Sequence, residues 1–102
     1  MTIRHVVMWR VRGATPGERH AHAARVCDAL LSMQGQVPGM ARLQVGLDIS
    51  GVDYACDVVL LADFDDDQAL AGYADHPAHL HAKQLMADLR VARHQVDFVL
   101  PP

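Results

Sequence analysis

The chain has 102 residues, 51% of them hydrophobic and 21% charged, which fits one globular domain spanning residues 1–102 and excludes disorder and low complexity. Its net charge of −3, with nine scattered Lys and Arg, argues against a nucleic-acid or anionic-membrane surface, because either needs a basic face. No stretch approaches the roughly 18 apolar residues of a membrane span. Two cysteines, Cys27 and Cys56, are too few for a disulfide scaffold. With no basic-then-apolar leader before Ile3, a cytoplasmic protein with reduced thiols is expected.

Ile3 to Arg12 reads as a strand, with Ile3, His5, Val7, Trp9 and Val11 on one face. The other face carries Val6 and Met8 at its centre, so both sides need cover. Thr15-Pro16-Gly17-Glu18 starts a helix, with Thr as N-cap, Pro at the first position and Glu closing a capping box. Its buried stripe is read as His20, Ala23, Ala24, Cys27, Leu30 and Leu31. The helix stops before Gly35, and Val37-Pro38-Gly39 makes the exit turn. Arg42 to Ile49 alternates strictly and predicts a half-exposed strand.

Asp57 to Phe64 is continuously apolar at its centre, as a strand buried on both faces should be. Asp65 is placed as the cap of a short helix running to about Tyr73, with Asp66 and Asp67 in its first turn. Pro77 restarts the helix, with Ala78, Ala82, Leu85 and Leu89 as the buried stripe and Met86 beside it. His94 to Leu100 is the last strand. The order βαββαβ predicts an α+β, ferredoxin-like subunit: a four-stranded antiparallel sheet with the first and third strands central and the helices on one face. Val6, Met8, Val59 and Leu61 would leave the other face bare and apolar, and a second copy packed sheet to sheet is the expected cover.

The segment Tyr73-Ala74-Asp75-His76-Pro77-Ala78-His79 is the most specific in the chain. Together with the opening I-R-H-V-V-M-W-R, the V-P-G turn and the strands L-Q-V-G-L-D-I-S and D-V-V-L-L-A-D-F, it resembles the stress-responsive dimeric α/β-barrel (Dabb) family. That family includes polyketide-cyclising enzymes of the olivetolic acid cyclase type. The resemblance implies a homodimer whose two sheets form a barrel. It also implies a pocket between helices and sheet in which Tyr73 and His79 work as an acid–base pair, with His5 beside them. A further pocket histidine of the cyclases has no counterpart, since Val58 stands at its place. The family also holds stress-related proteins without known chemistry.

The residues can be read without the family. His79 lies about 100° from Ala78 around the helix, at the edge of the buried face, where an imidazole can reach a cavity. Its ordinary pKa near 6.5 suits a base at neutral pH, and Tyr73 offers a phenol donor. The pair could take a proton alpha to a carbonyl, in a pocket lined by His5, Val7, Trp9 and Met86, to which the resemblance adds Val58. The bland alternatives are a packing tyrosine, an end-of-helix histidine and, at His5, a satisfied core histidine. His76 precedes Pro77 and reads as a cap or hinge.

A metal site is not expected. His76, His79 and His81 read H-x-x-H-x-H, but Pro77 interrupts the helix, His79 and His81 point about 200° apart, and neither cysteine has a C-x-x-C partner. Nothing selects haem, flavin or any other cofactor, and Cys27, on a buried stripe, is a poor nucleophile. Two functions stay open. One is a cofactor-free cyclase, lyase or isomerase acting on a small apolar carbonyl compound. The other is a non-catalytic, stress-associated binding or structural protein.

Overall fold

The computed structural model describes residues 1–101. Seven elements follow in order: β1 (Ile3–Val11), α1 (Pro16–Leu31), β2 (Met40–Leu47), β3 (Val58–Phe64), α2 (Asp67–Asp75), α3 (Pro77–Met86) and β4 (Arg90–Val99). The strands form one sheet in the order β2-β3-β1-β4, with every neighbouring pair antiparallel. This is the ferredoxin-like arrangement expected from the element order, with its second helix broken in two.

The core lies between the helices and one sheet face. Val7, Trp9 and Val11 of β1 and Val58, Leu60, Ala62 and Phe64 of β3 are all buried there. From α1 come Ala23, Val26, Ala29 and Leu30, with Met33 just beyond the helix, and from the second half Tyr73, Ala82, Met86 and Leu89. Fully burying one such aliphatic side chain contributes roughly 1.5–3 kcal/mol, so this layer is what holds the helices on.

Local signals set the helix ends. Thr15 caps α1, accepting from the Glu18 amide at 3.1 Å, and Glu18 in turn accepts from the Ala14 amide at 2.7 Å. The break at Pro77 is capped from both sides by one residue. His76 has the extended backbone that the following proline demands, and its Nδ1 accepts from the Ala78 amide at 3.0 Å.

Several expectations need correcting. The face of α1 is rotated from the predicted stripe: Val26 and Ala29 are buried, while His20 and Leu31 are exposed. The helix lies with its Ala23–Val26–Leu30–Met33 line on the sheet, a choice that tertiary contact makes among several similar apolar lines. Leu85 is 48% exposed, because Ala82 and Met86 take the inward positions of α3. Asp66, not Asp65, caps α2, its side chain accepting from the Ala69 amide. β2 begins at Met40 and ends at Leu47, leaving Ile49 in solvent. β4 begins at Arg90 rather than His94, since β1 offers pairing partners from Val11 onward.

Candidate functional site

Register decides what meets β1 on the helix side. Antiparallel pairing sets Arg93 beside Trp9, Gln95 beside Val7 and Asp97 beside His5. Cross-strand partners share a face, so β4 presents polar side chains to the layer that β1 and β3 fill with apolar ones. At this edge the helices do not close onto the sheet, and a cavity of about 320 Å³ remains.

His5, Val7, Trp9, Tyr73, His79 and Met86 all line it. Val58, expected there too, does not. It is buried in the core and borders a different hollow, on the side of Met8 and Gly46. The reason is strand order: the cavity lies toward β4, and β3 is on the far side of β1, where Val58 pairs with Trp9.

Tyr73, in the last turn of α2, is the only buried residue of that helix, 4% exposed. Its ring packs at 5.0 Å from Phe64 and 5.7 Å from His5, centroid to centroid. Burial pushes the phenol up to about 12, against a smaller opposing pull from Arg93, so Tyr73 stays protonated at neutral pH and can donate. The His79 ring lies 4.2 Å from that of Tyr73, tilted by 32°.

The break at Pro77 leaves the last carbonyls of α2 without helical partners, and His79 takes one of them. Its Nδ1 lies 3.0 Å from the Ala74 carbonyl oxygen. A carbonyl can only accept, so Nδ1 carries the proton and Nε2 carries the lone pair. Desolvation holds the His79 pKa below its ordinary 6.5, with Lys83, His5 and Arg93 pushing the same way and the Ala74 bond opposing. His79 is therefore a neutral imidazole at pH 7, with a basic nitrogen to offer.

His5, 5% exposed, is held by a residue that sequence reasoning missed. Its Nδ1 donates to the Asp97 carboxylate at 2.5 Å, and Gln95 donates to the other Asp97 oxygen at 2.9 Å. A ring so oriented keeps one geometry and one tautomer at the donor nitrogen. The spacing of Arg93, Gln95 and Asp97 put them on one strand face, and that much was readable. Which face was not.

His76 is spent on capping, and Cys27 and Cys56 are both free and half-buried. Burial, aided by Asp28, pushes the Cys27 thiol up, away from the reactive thiolate. Among the described residues, no three His, Cys, Asp or Glu side chains gather where one metal ion would touch them.

Known proteins share this architecture. A dimeric ferredoxin-like protein of unknown function from Thermobifida fusca is 28% identical, with 98% of this chain and 92% of that one covered at a TM-score of 0.82. A hydroxynitrile lyase from Passiflora edulis superposes with a TM-score of 0.78 at 12% identity, covering 98% and 94% of the two chains. SnoaB, a cofactor-independent oxygenase from Streptomyces nogalater, gives 0.74 at 18% identity, covering 99% and 94%. Comparison with curated proteins yields no match. The family model described as the stress responsive A/B barrel domain matches residues 3–100. That match spans every element of the sheet and both halves of the broken helix, and the chain belongs to the stress responsive A/B barrel domain (Dabb) family.

Proposed function

We propose that the protein binds a small, mostly apolar carbonyl compound in this cavity and acts on it without a cofactor, by proton transfer. In this reading His79 Nε2 takes a proton alpha to the carbonyl, and the Tyr73 phenol donates to the oxygen on which charge develops. His5, fixed by Asp97, adds a second imidazole against the same substrate. The observation that carries the reading is the close packing of the His79 and Tyr73 rings, 4.2 Å between centroids, at the wall of one cavity. The neighbours lend support at the level of fold, since a lyase and a cofactor-independent oxygenase are built on it.

The working unit we propose is a homodimer. Val6, Met8, Val59 and Leu61 lie on the sheet face away from the helices, and register adds Val96 and Phe98 beside Val6 and Arg4. Met8, Val96 and Phe98 are 40%, 61% and 42% exposed in the single chain, a large apolar area to leave in water. The Thermobifida neighbour is itself dimeric. No helix among the described residues is long and apolar enough to cross a membrane. The two free cysteines fit a reducing compartment, which supports the cytoplasm as the location.

The test is proton exchange, which needs no knowledge of the natural substrate. In deuterated buffer the protein should speed loss of the alpha-proton signal of neutral ketones such as phenylacetone and benzylacetone. His79→Ala should reduce that acceleration by about 10²–10⁴-fold. Exchange that is equal in the two proteins would remove the enzymatic reading in favour of a non-catalytic, stress-associated binding or structural protein, the family being described as stress responsive.

A further inference from the structure

Three of the nine Lys and Arg of this acidic chain stand on one cavity. Lys83, Arg90 and Arg93 line the space that holds Tyr73 and His79, and no Asp or Glu lines it. The nine looked scattered along the sequence, and the fold gathers these three. Lys83 comes from the last turn of α3. Arg90 and Arg93 come from β4, where two residues three apart would ordinarily face opposite sides.

A bulge brings them together. Arg10 pairs with Ala92, but the next β1 residue, Val11, pairs with Arg90, so Val91 is an extra residue with no partner. The two arginines then stand beside Val11 and Trp9 on the helix side, while Val91 is 61% exposed. Bulges of this kind re-aim side chains and are common beside functional sites. None of the three cations forms an ion pair among the described residues. Asp97, the carboxylate that borders the adjoining hollow with Arg93, is already engaged by His5 and Gln95. The three like charges therefore repel one another, and an anion is the species that would relieve them. Of the remaining polar groups of the wall, the Tyr73 phenol donates and the Trp9 indole N–H is buried without any partner, while the His79 Nε2 lone pair is the acceptor reserved for the substrate's proton.

We propose that the ligand of this cavity is an organic acid, an apolar body bearing a carbonyl for Tyr73 and His79 and a carboxylate held by Arg93, Arg90 and Lys83. This rests on the acid–base reading of the same cavity and narrows it to a charged substrate class. Guanidinium groups suit a carboxylate because their planar fork matches its two oxygens. Seating the anion also acts on the base. Lys83 and Arg93 are among the groups that hold His79 down, and neutralising them makes Nε2 a stronger base once substrate is present.

Matched ligands that differ only in charge test this by calorimetry at low salt: phenylpyruvate against phenylpyruvamide, and levulinate against levulinamide. In at least one pair the acid should bind about tenfold or more tightly than the amide. The readout is the ratio, which should fall toward one on adding salt and in an Arg90→Gln, Arg93→Gln double variant. Lys83→Gln, on an exposed helix position, should lower it even if the double variant fails to fold. Acid and amide binding equally would overturn the organic-acid assignment and leave the neutral-ketone exchange result standing. An acid preference that survives both salt and the charge removals would overturn the assignment of these three residues. Failure of every acid and amide to bind, with no ketone exchange, would overturn both readings.

Discussion

Burial acts on Tyr73 and His79 in opposite chemical senses, because the charged form of one is an anion and of the other a cation. It raises the phenol and lowers the imidazole, so both groups are neutral over the range where each is useful. For His79 the consequence for stability has a definite sign. Its folded pKa lies below the 6.5 of the unfolded chain, so as pH falls through about 6.5 the unfolded state binds a proton first. This contribution leaves stability untouched above that value and lowers it below, until the folded form also protonates. Urea midpoints compared at about pH 7.5 and pH 5.5 should therefore drop more for the wild-type protein than for His79→Gln. A ring-proton NMR titration should place the His79 midpoint below that of a free histidine.

At the scale of elements, the turns are as decisive as the strands. Gly39 closes the Val37-Pro38-Gly39 turn with φ +79°, and a Cβ there would stand 2.5 Å from the Ala69 Cβ on α2. Gly39→Ala meets two penalties, a left-handed backbone and a collision with a packed helix, and should destabilise by about 2–4 kcal/mol. Gly51, at φ +67° with open space around it, meets only the first. Gly51→Ala should cost about 1 kcal/mol, and chemical denaturation of the two variants separates the terms. The break at Pro77 has a comparable weight in the site. It ends α2 two residues after Tyr73, frees the Ala74 carbonyl and turns α3 so that His79 can reach it. A continuous helix would satisfy that carbonyl internally and leave the imidazole without its anchor.

For the molecule as a whole, the question is what covers the outer sheet face. Met8 lies near its centre, between Val59 on one side and His94 on the other. Met8→Asp would place an unpaired charge in the proposed dimer interface, an effect of about 4 kcal/mol or roughly a thousandfold in dissociation constant. Since Met8 is already 40% exposed in the single chain, the subunit's own core should survive the change. Sedimentation at micromolar concentration should show dimer for the wild type and monomer for the variant. A variant that remains dimeric with unchanged melting would move the interface elsewhere.

Much of this architecture was legible in one dimension, because periodicity and end signals are local. Apolar runs on both faces marked β1 and β3 as central, Thr15-Pro16 and His76-Pro77 marked helix starts, and the Y-A-D-H-P-A-H segment pointed to Tyr73 and His79. Helix rotation was not legible, since α1 carries several apolar lines and only contact with the sheet selects the one through Val26 and Ala29. Nor was the polar half of the site. His5 and Asp97 are 92 residues apart, and their bond exists only because β4 pairs with β1 in one register. Arg90 and Arg93 share a face only because that pairing slips by one residue at Val91. Register and bulge are properties of two strands together and leave no mark on either alone, so the sequence by itself determined the elements and the apolar layer, and the tertiary structure decided which charged groups surround the cavity.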